Sequence, residues 1–290
     1  MAALIGSPVA HSLSPVIHRA AFAAAGVDWS YVAFDVPAGR SLLALDAVRN
    51  LGISGLSVTT PHKDQVADGV DSLAPSAAVL HSVNTVVVQA GGRLVGHNTD
   101  GAGFVSSLVA AGVDVAGLSA AVLGAGPAAR SVVSALDSAG AGRITVLNRT
   151  ADKAAAVVAL APRSAVARPA AKAGETLAGA ELIVNATSIG FGRIEVGGTG
   201  SAAAELPLDP AVLHAGHLVA DLVYHPLDTA LLRAARAAGA RTFDGLGMLV
   251  HQAALQQHLW LGHRPDVGVM RAAAEAELAR RAANVASSDE

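Results

Sequence analysis

The apolar positions of this chain fall in short runs broken by glycine, proline and small hydroxyl residues, and their rhythm changes near Asp100. Before that point Ala2–Gly6 reads as a strand, and Ser14-Pro15 as an N-cap and first-turn proline opening a helix that ends near Gly26. Residues 29–36 (WSYVAFDV), rich in aromatic and β-branched side chains, predict a strand. Leu42, Leu43, Leu45 and Val48 have helical spacing, and residues 55–60 form a further predicted strand. Residues 83–89 and 93–96, joined by Ala-Gly-Gly, predict a hairpin.

Beyond Asp100 strands and helices alternate regularly. Residues 119–126 (SAAVLGAG) read as a strand and a glycine turn, and residues 127–140 as a helix with Pro127 in its first turn. Residues 143–149, 181–188 and 217–224 are three later strands. Each is short, apolar and separated from the next by helical sequence, the pattern of a parallel sheet covered on both faces. The alanine-rich stretch 162–179 carries mixed signals and is assigned no element. Two helices, 247–262 and 266–282, close the chain, and the tail ASSDE is expected to fray.

Composition narrows the class of function. With 52% hydrophobic and 15% charged residues the chain is expected to fold over most of its 290 positions. A formal charge of −3 without a basic block argues against nucleic-acid binding and leaves a small molecule as the expected partner, with the chain a monomer or a homodimer. The absence of cysteine removes disulfides, thiolate nucleophiles and cysteine-based metal sites. The opening MAALIGSP lacks the features of a signal peptide, and no apolar run approaches the length of a membrane span, so a soluble cytoplasmic protein without membrane contact is expected. His11 and His18, and His251 and His258, are spaced by seven without the further ligands zinc would need, so no metal is expected. Abundant alanine lowers the cost of helix formation but yields little buried area per residue.

The segment VLGAGPAAR holds Gly124, Ala125, Gly126, Pro127 and Ala128 in the dinucleotide pattern Gly124-x-Gly126-x-x-Ala129. It follows a predicted strand and opens a predicted helix, the context in which this pattern carries meaning. The first glycine makes the turn, the second lets backbone approach a pyrophosphate, and the helix N-terminus attracts its charge. A site for NAD would place a carboxylate on the ribose hydroxyl about 20 residues further on. Here the next strand ends in Asn148-Arg149-Thr150, with Lys153 one turn later. A guanidinium and an amine suit a 2′-phosphate, so NADP is expected over NAD.

Reduction of a ketone by nicotinamide needs a proton for the developing alkoxide. A lysine amine can deliver it when a partly desolvated site lowers its pKa, and a neighbouring carboxylate can orient it. Lys63 and Asp100 each follow a predicted strand end, where the mouth of a sheet-built cleft would lie. Around them occur, in order, HSLSP (11–15), SVTTPHK (57–63), SVNT (82–85), GHNTDG (96–101), NATSIG (185–190), DLVYHPLDT (221–229) and DGLGMLVHQA (244–253). Together these segments resemble the NADP-dependent shikimate dehydrogenase family, over nearly the whole chain.

The resemblance implies an α/β fold in which an N-terminal α/β substrate domain, completed by C-terminal helices (1–100 and 245–290), carries an inserted Rossmann-type NADP-binding domain (101–244). It implies reversible interconversion of 3-dehydroshikimate and shikimate, with Lys63 as acid/base residue paired with Asp100. Ser12 and Ser14 would bind the substrate carboxylate. Thr59, Asn84 and Gln252 would contact ring hydroxyls, beside Asp100 and Tyr224. Asn185, Ala186, Thr187, Ser188, Leu222 and Gly245 would lie near the cofactor. Met248 shares a helix face with Gln252 and would lie there too. His62 is read as a packing residue.

Three positions depart from the family pattern: Pro127 where a third glycine is frequent, His81 where glycine is usual before SVNT, and Pro75 at a site often acidic. Relatives that accept quinate often carry threonine at the position of Ser14 and an acidic residue at that of Arg149, and this chain has neither. A quinate/shikimate dehydrogenase, or a relative acting on an amino-hydroxybenzoate-type ring, is the alternative enzyme. A non-catalytic NADP-binding regulator on the same fold is the alternative of another class, which the presence of both Lys63 and Asp100 disfavours.

Overall fold

The first apolar run forms strand β1 (Ala2–Gly6), and its alternate residues enter two different cores: Ala3 and Ile5 on one face, Ala2 and Leu4 on the other. Burial on both faces follows from its place inside a mixed sheet. The other strands are β2 (Tyr31–Asp35), β3 (Gly55–Val58), β4 (Ser72–Leu73), β5 (Thr85–Val88) and β6 (Leu94–His97), in the order β2-β1-β3-β5-β6-β4. β1 runs parallel to both β2 and β3, while β5 and β6 form the antiparallel hairpin that the Ala-Gly-Gly turn predicts. A computed structural model of the chain describes residues 1–169, 172–190 and 208–288. It divides into two compact units, Met1–Asp100 with Val250–Glu290, and Gly101–Leu249.

In the first unit, α2 (Ser41–Asn50) and α3 (Lys63–Gly69) cover one face of the sheet through Leu45, Val48 and Val66. Phe22 of α1 (Ser14–Ala24) and Trp260 of α10 (Gly245–Leu261) pack on the other. Trp260 lies flat against Gly55, where a Cβ would come within 2.6 Å of the indole, and its Nε1 donates to the Val86 carbonyl at 3.0 Å. Beside it the fully buried His18 stacks on Tyr31, with ring centroids 4.3 Å apart. Gln257 Nε2 donates to the His18 carbonyl and faces His18 Nδ1 at 3.1 Å, so Nδ1 is the accepting nitrogen and Nε2–H points at Gln256 Oε1, 3.2 Å away. The imidazole is thus neutral and satisfied at both nitrogens.

The second unit is built on a parallel sheet of β7 (Ser119–Leu123), β8 (Arg143–Asn148), β9 (Ala165–Pro169), β10 (Leu182–Asn185), β11 (Leu218–Asp221) and β12 (Arg241–Phe243), ordered β12-β11-β10-β7-β8-β9. Alternate residues of β7 again divide between two cores. Ala120 and Val122 face α5 (Asp100–Ala110), α6 (Pro127–Ser138) and α7 (Ala151–Val158), and Ala121 and Leu123 face α8 (Ala173–Ala178) and α9 (Ala230–Ala237). The chain winds outward from β7 to β9, then returns to β10 on the other side of β7. That reversal makes the carboxyl ends of β7 and β10 the switch point where such sheets bind ligands. At Gly101 a Cβ would lie 2.1 Å from the Ser131 carbonyl oxygen, so α5 and α6 touch backbone to backbone.

Several expectations need correction. Ser14 does not cap α1: Leu13 occupies the N-cap position without a side-chain bond, and Ser14 is the first helical residue, its N–H donated to the Ser12 hydroxyl at 3.2 Å. Strands β2 and β3 are shorter than 29–36 and 55–60: Trp29 turns back onto the Val27 carbonyl, while Val36 and Thr59, just past the strand ends, still donate to the Gly6 and Ile5 carbonyls of β1. The stretch 162–179 contains both β9 and α8, and α3, α4 (Pro75–Ala78), β4, α9 and β12 are additional elements. The last helix, α11 (Val267–Ser288), runs into the tail expected to fray, whose final two residues lie outside the described ones. Pro75 serves as the first residue of α4. Among the described residues no helix is long and apolar enough to cross a membrane.

His81 accounts for its own departure from the family pattern. Its φ is +45°, and it is the one non-glycine among the described residues with a positive φ. Such a conformation costs a side chain about 1–2 kcal/mol, against roughly 0.5–1 kcal/mol for the extra freedom of glycine in the unfolded chain. Its exposed ring meets Asp68 at 2.9 Å, a surface contact of small worth. His81→Gly is therefore expected to leave stability unchanged or raise it by up to about 1 kcal/mol, measured by urea unfolding.

His18 gives a second expectation. Burial drives its imidazole down to about 3 from the ordinary 6.5. Between those values the unfolded chain binds a proton that the folded chain does not. Stability therefore falls as pH drops through that window, by up to about 1.4 kcal/mol per pH unit from this group. Burial moves His97 and His251 in the same direction and the Asp221 carboxyl in the opposite sense. Urea midpoints at pH 7.5 and 5.5 should differ accordingly, and His18→Phe should flatten the dependence even where it lowers stability overall.

Candidate functional site

Lys63 is the first residue of α3, where a cation gains nothing from the helix dipole, and Asp100 the first of α5, where an anion does. The two side chains meet: Lys63 Nζ donates to Asp100 Oδ2 at 2.6 Å, with the carboxylate almost wholly buried and the lysine side chain 18% exposed. The other carboxylate oxygen takes the Asn84 amide at 2.8 Å. The orientation of that amide is fixed by its neighbours. The Thr99 backbone N–H can only donate, and it points at Asn84 Oδ1 from 2.8 Å, so Asn84 Nδ2 must face Asp100. Nδ2 also approaches Thr99 Oγ1 at 3.0 Å and Gln252 Oε1 at 3.3 Å. Four residues that the sequence spreads from 63 to 252 thus form one connected group.

Gln256, one turn beyond Gln252, supports that group from behind. Its Nε2 donates to the Asn84 carbonyl at 3.2 Å, and its Oε1 accepts the Ser57 hydroxyl at 2.8 Å, which in turn accepts from Tyr31 at 2.7 Å. Sequence reading missed Gln256, Thr99 and Ser57. The spacing of four between Gln252 and Gln256 on a helix is the signal that could have found the first. Ser12 and Ser14 lie together at the start of α1, with Tyr31 beside Ser14. Thr59 follows β3, its backbone N–H bonded to Ile5 and its methyl lying over Gly6. No hydrogen bond among the described residues joins these three directly to Lys63 or Asp100. His62 is buried with Nε2 2.7 Å from the Val36 carbonyl, a packing role.

In the second unit the turns after neighbouring strands touch. Gly124, with φ +105°, donates its N–H to the Leu147 carbonyl, and a Cβ there would come within 3.0 Å of the Ala186 carbonyl oxygen. The Leu222 N–H bonds the Asn185 carbonyl, and Gly245 packs on the Leu222 and Val223 carbonyls, where a Cβ would sit at 2.5 Å. The Asn185 side chain is engaged internally: it donates to Asp221 at 2.9 Å and accepts from the Thr187 hydroxyl at 2.7 Å and the Thr187 N–H. What this turn offers outward is backbone and the exposed Ser188. Tyr224 is half-buried after β11, and Met248 packs into the core beside α5 and α6.

These turns have the features a dinucleotide requires. A Cβ at Gly126 would meet nothing within 4 Å, so a ligand can reach this backbone. No side chain caps α6, which leaves the Ala128 and Ala129 N–H groups at its N-terminus, while Pro127, in its first turn, has none to offer. After β8, Asn148 Nδ2 bonds the Thr150 carbonyl, and Thr150 caps α7 without a side-chain bond. Arg149 and Lys153 are exposed there and have no carboxylate partner among the described residues. A diphosphate at α6 and a further phosphate near Arg149 both match this donor set.

Known proteins match the chain along most of its length. The shikimate dehydrogenase substrate binding domain matches residues 4–86, shikimate/quinate 5-dehydrogenase residues 107–198, and the shikimate 5′-dehydrogenase C-terminal domain residues 245–275. The shikimate dehydrogenase (NADP(+)) of Symbiobacterium thermophilum is 47% identical over 282 residues, 95% of this chain and 93% of its own. The crystal structure of shikimate 5-dehydrogenase from Thermus thermophilus in complex with NADP(H) and shikimate superposes with a TM-score of 0.84 at 38% identity, covering 95% of this chain and 98% of that one. Quinate dehydrogenase from Corynebacterium glutamicum in complex with NAD gives 0.85 at 33% identity, covering 94% and 97%. With identity of that order spanning both chains almost end to end, the protein is a member of the shikimate dehydrogenase family.

Proposed function

We propose that this chain interconverts 3-dehydroshikimate and shikimate with NADP(H), a step of aromatic amino-acid biosynthesis, using Lys63 as its acid/base residue. The observation that carries the reading is the 2.6 Å contact between Lys63 and Asp100, backed by Asn84 and Gln252. In the reducing direction the Lys63 ammonium gives a proton to the carbonyl oxygen as it becomes an alkoxide. In the oxidising direction the amine takes that proton back. Asp100 holds the amine by one oxygen while Asn84 holds the other, so the lysine is aimed rather than free to rotate. Asn84 and Gln252 supply an amide pair suited to ring hydroxyls, and Ser12, Ser14 and Thr59 supply hydroxyls for the carboxylate and the ring. Sites of this kind reject analogues lacking a hydroxyl strongly, because a buried donor is then left unpaired.

NADP, when bound, supplies or accepts the hydride. Its diphosphate would rest on Gly124–Ala128 and the α6 N-terminus, and Arg149 with Lys153 would hold the 2′-phosphate beside Asn148 and Thr150. Residues Asn185–Ser188, Leu222, Gly245 and Met248 belong to the segments next to that site. The first unit is then the substrate domain and the second the cofactor domain.

Initial rates with shikimate or quinate, each with NADP or NAD, test the assignment. Shikimate with NADP should be the fastest pair, and equal rates with the two cofactors would remove Arg149 from the argument. Arg149→Ala should weaken NADP about 10- to 100-fold while leaving NAD nearly unaffected, since a charge-assisted contact contributes about 1.5–3 kcal/mol. Lys63→Met should lower kcat by about 10²–10⁴-fold with NADP affinity retained. Near-normal turnover in that variant would exclude Lys63 as the proton carrier.

A further inference from the structure

Arg281 lies on α11, some 270 positions from the serines near the N-terminus, yet its guanidinium reaches their loop. Nη1 donates to the His11 carbonyl at 2.6 Å and Nη2 to the Ser12 carbonyl at 3.3 Å. Nε donates to Glu277 Oε1 at 2.7 Å, and Glu277 also receives Arg280. The planar guanidinium therefore has one edge fixed by a carboxylate on its own helix and presents the other to two consecutive peptide carbonyls.

We propose that Arg281 is a positioning residue for the carboxylate-binding end of the substrate site, acting through Ser12. The proposal rests on the shikimate reading given above. Three observations support it. The Ser12 N–H is bonded to the Val9 carbonyl at 3.0 Å and its carbonyl to Arg281, so both of its backbone polar groups are tied down. The Ser12 hydroxyl oxygen accepts the Ser14 N–H at 3.2 Å, which leaves its single O–H as a donor directed away from that nitrogen. A hydroxyl fixed in this sense suits a carboxylate, which can only accept. Finally, the matched positions provide no arginine to contact a carboxylate directly, whereas Arg280, Arg281 and Glu277 together carry a net positive charge beside this loop. The guanidinium thus acts through the backbone that carries the serine. The bonds from Arg280 and Arg281 hold the Glu277 carboxyl down to about 2, so the arrangement stays ionised throughout the neutral range.

The test is steady-state kinetics of wild type, Arg281→Met and Arg281→Lys, with shikimate varied at saturating NADP and then NADP varied at saturating shikimate, alongside thermal midpoints. Arg281→Met is expected to raise the shikimate KM about tenfold, with kcat and the NADP KM within about twofold of wild type. Arg281→Lys, which keeps the charge but lacks the planar fork that spans the two carbonyls and Glu277, should give a shift between those of wild type and Arg281→Met. A helix staple without a positioning role would instead lower the thermal midpoint and leave the shikimate KM of the folded protein alone, and that result overturns the proposal. Equal changes in the KM of both substrates overturn it as well. If Arg281→Met does not fold, Arg281→Lys decides: a raised shikimate KM with an unchanged NADP KM supports the proposal, and an unchanged shikimate KM overturns it. A wild-type enzyme that does not turn over shikimate sinks the substrate reading itself, whereas an active wild type with indifferent variants sinks only the role of Arg281.

Discussion

A carboxylate buried as deeply as Asp100 must be compensated on both oxygens, and much of the first unit is arranged around that requirement. Lys63 takes one oxygen and Asn84 the other, and Asn84 can do so only because the Thr99 backbone sets its amide. Gln256 then holds the Asn84 backbone from behind. Desolvating an ion pair costs several kcal/mol, and well-packed apolar residues in its place are often as stable or more so. Stability alone therefore does not explain a charged pair here. The pair instead holds one ionisable amine at one position, which is what the proposed proton transfer would need.

The polar network sits in a chain that has little apolar bulk to spare. Alanine dominates the helices, so each residue buries a small area. The first unit offsets this with a concentrated aromatic cluster of Tyr31, Phe22, Trp29, Trp260 and the neutral His18 on one face of the sheet. Gly55 admits Trp260 to that cluster, and Gln256 and Gln257 finish it by satisfying His18. The same helix α10 therefore serves the aromatic core and the buried polar group together. Gln252 faces Asn84, Gln256 joins Asn84 to His18, and Trp260 closes the core one turn later.

Much of this architecture was legible in the sequence wherever a local rule applied. The parallel strands and the glycine turn before α6 follow from short apolar runs and from Gly124-x-Gly126, and the hairpin from Ala-Gly-Gly. The meeting of Lys63 with Asp100 could be anticipated only from the order of several short segments. Other features were hidden for physical reasons. In the stretch 162–179 alanine gives no contrast between buried and exposed positions, so neither β9 nor α8 shows a period. Ser14 has the identity of a cap, but the Ser12 hydroxyl already takes its N–H, and the helix begins one residue earlier than a cap would require. Arg281 and Gln256 act on residues more than 170 positions away, beyond any spacing rule.

The fold by itself does not choose substrate or cofactor, since a quinate dehydrogenase bound to NAD superposes as closely as a shikimate dehydrogenase bound to NADP(H). Discrimination must reside in side chains that the sheet does not constrain. Arg149 is one such residue. It follows β8, projects from an exposed turn and has no partner among the described residues, so its replacement would leave the sheet register intact. Ser14 differs, because its backbone N–H is bound to Ser12 and its side chain neighbours Tyr31. A methyl group added there must fit between those neighbours. Arg149 can thus be replaced without disturbing a neighbour, whereas a substitution at Ser14 must also accommodate the serine loop and the aromatic cluster beneath it.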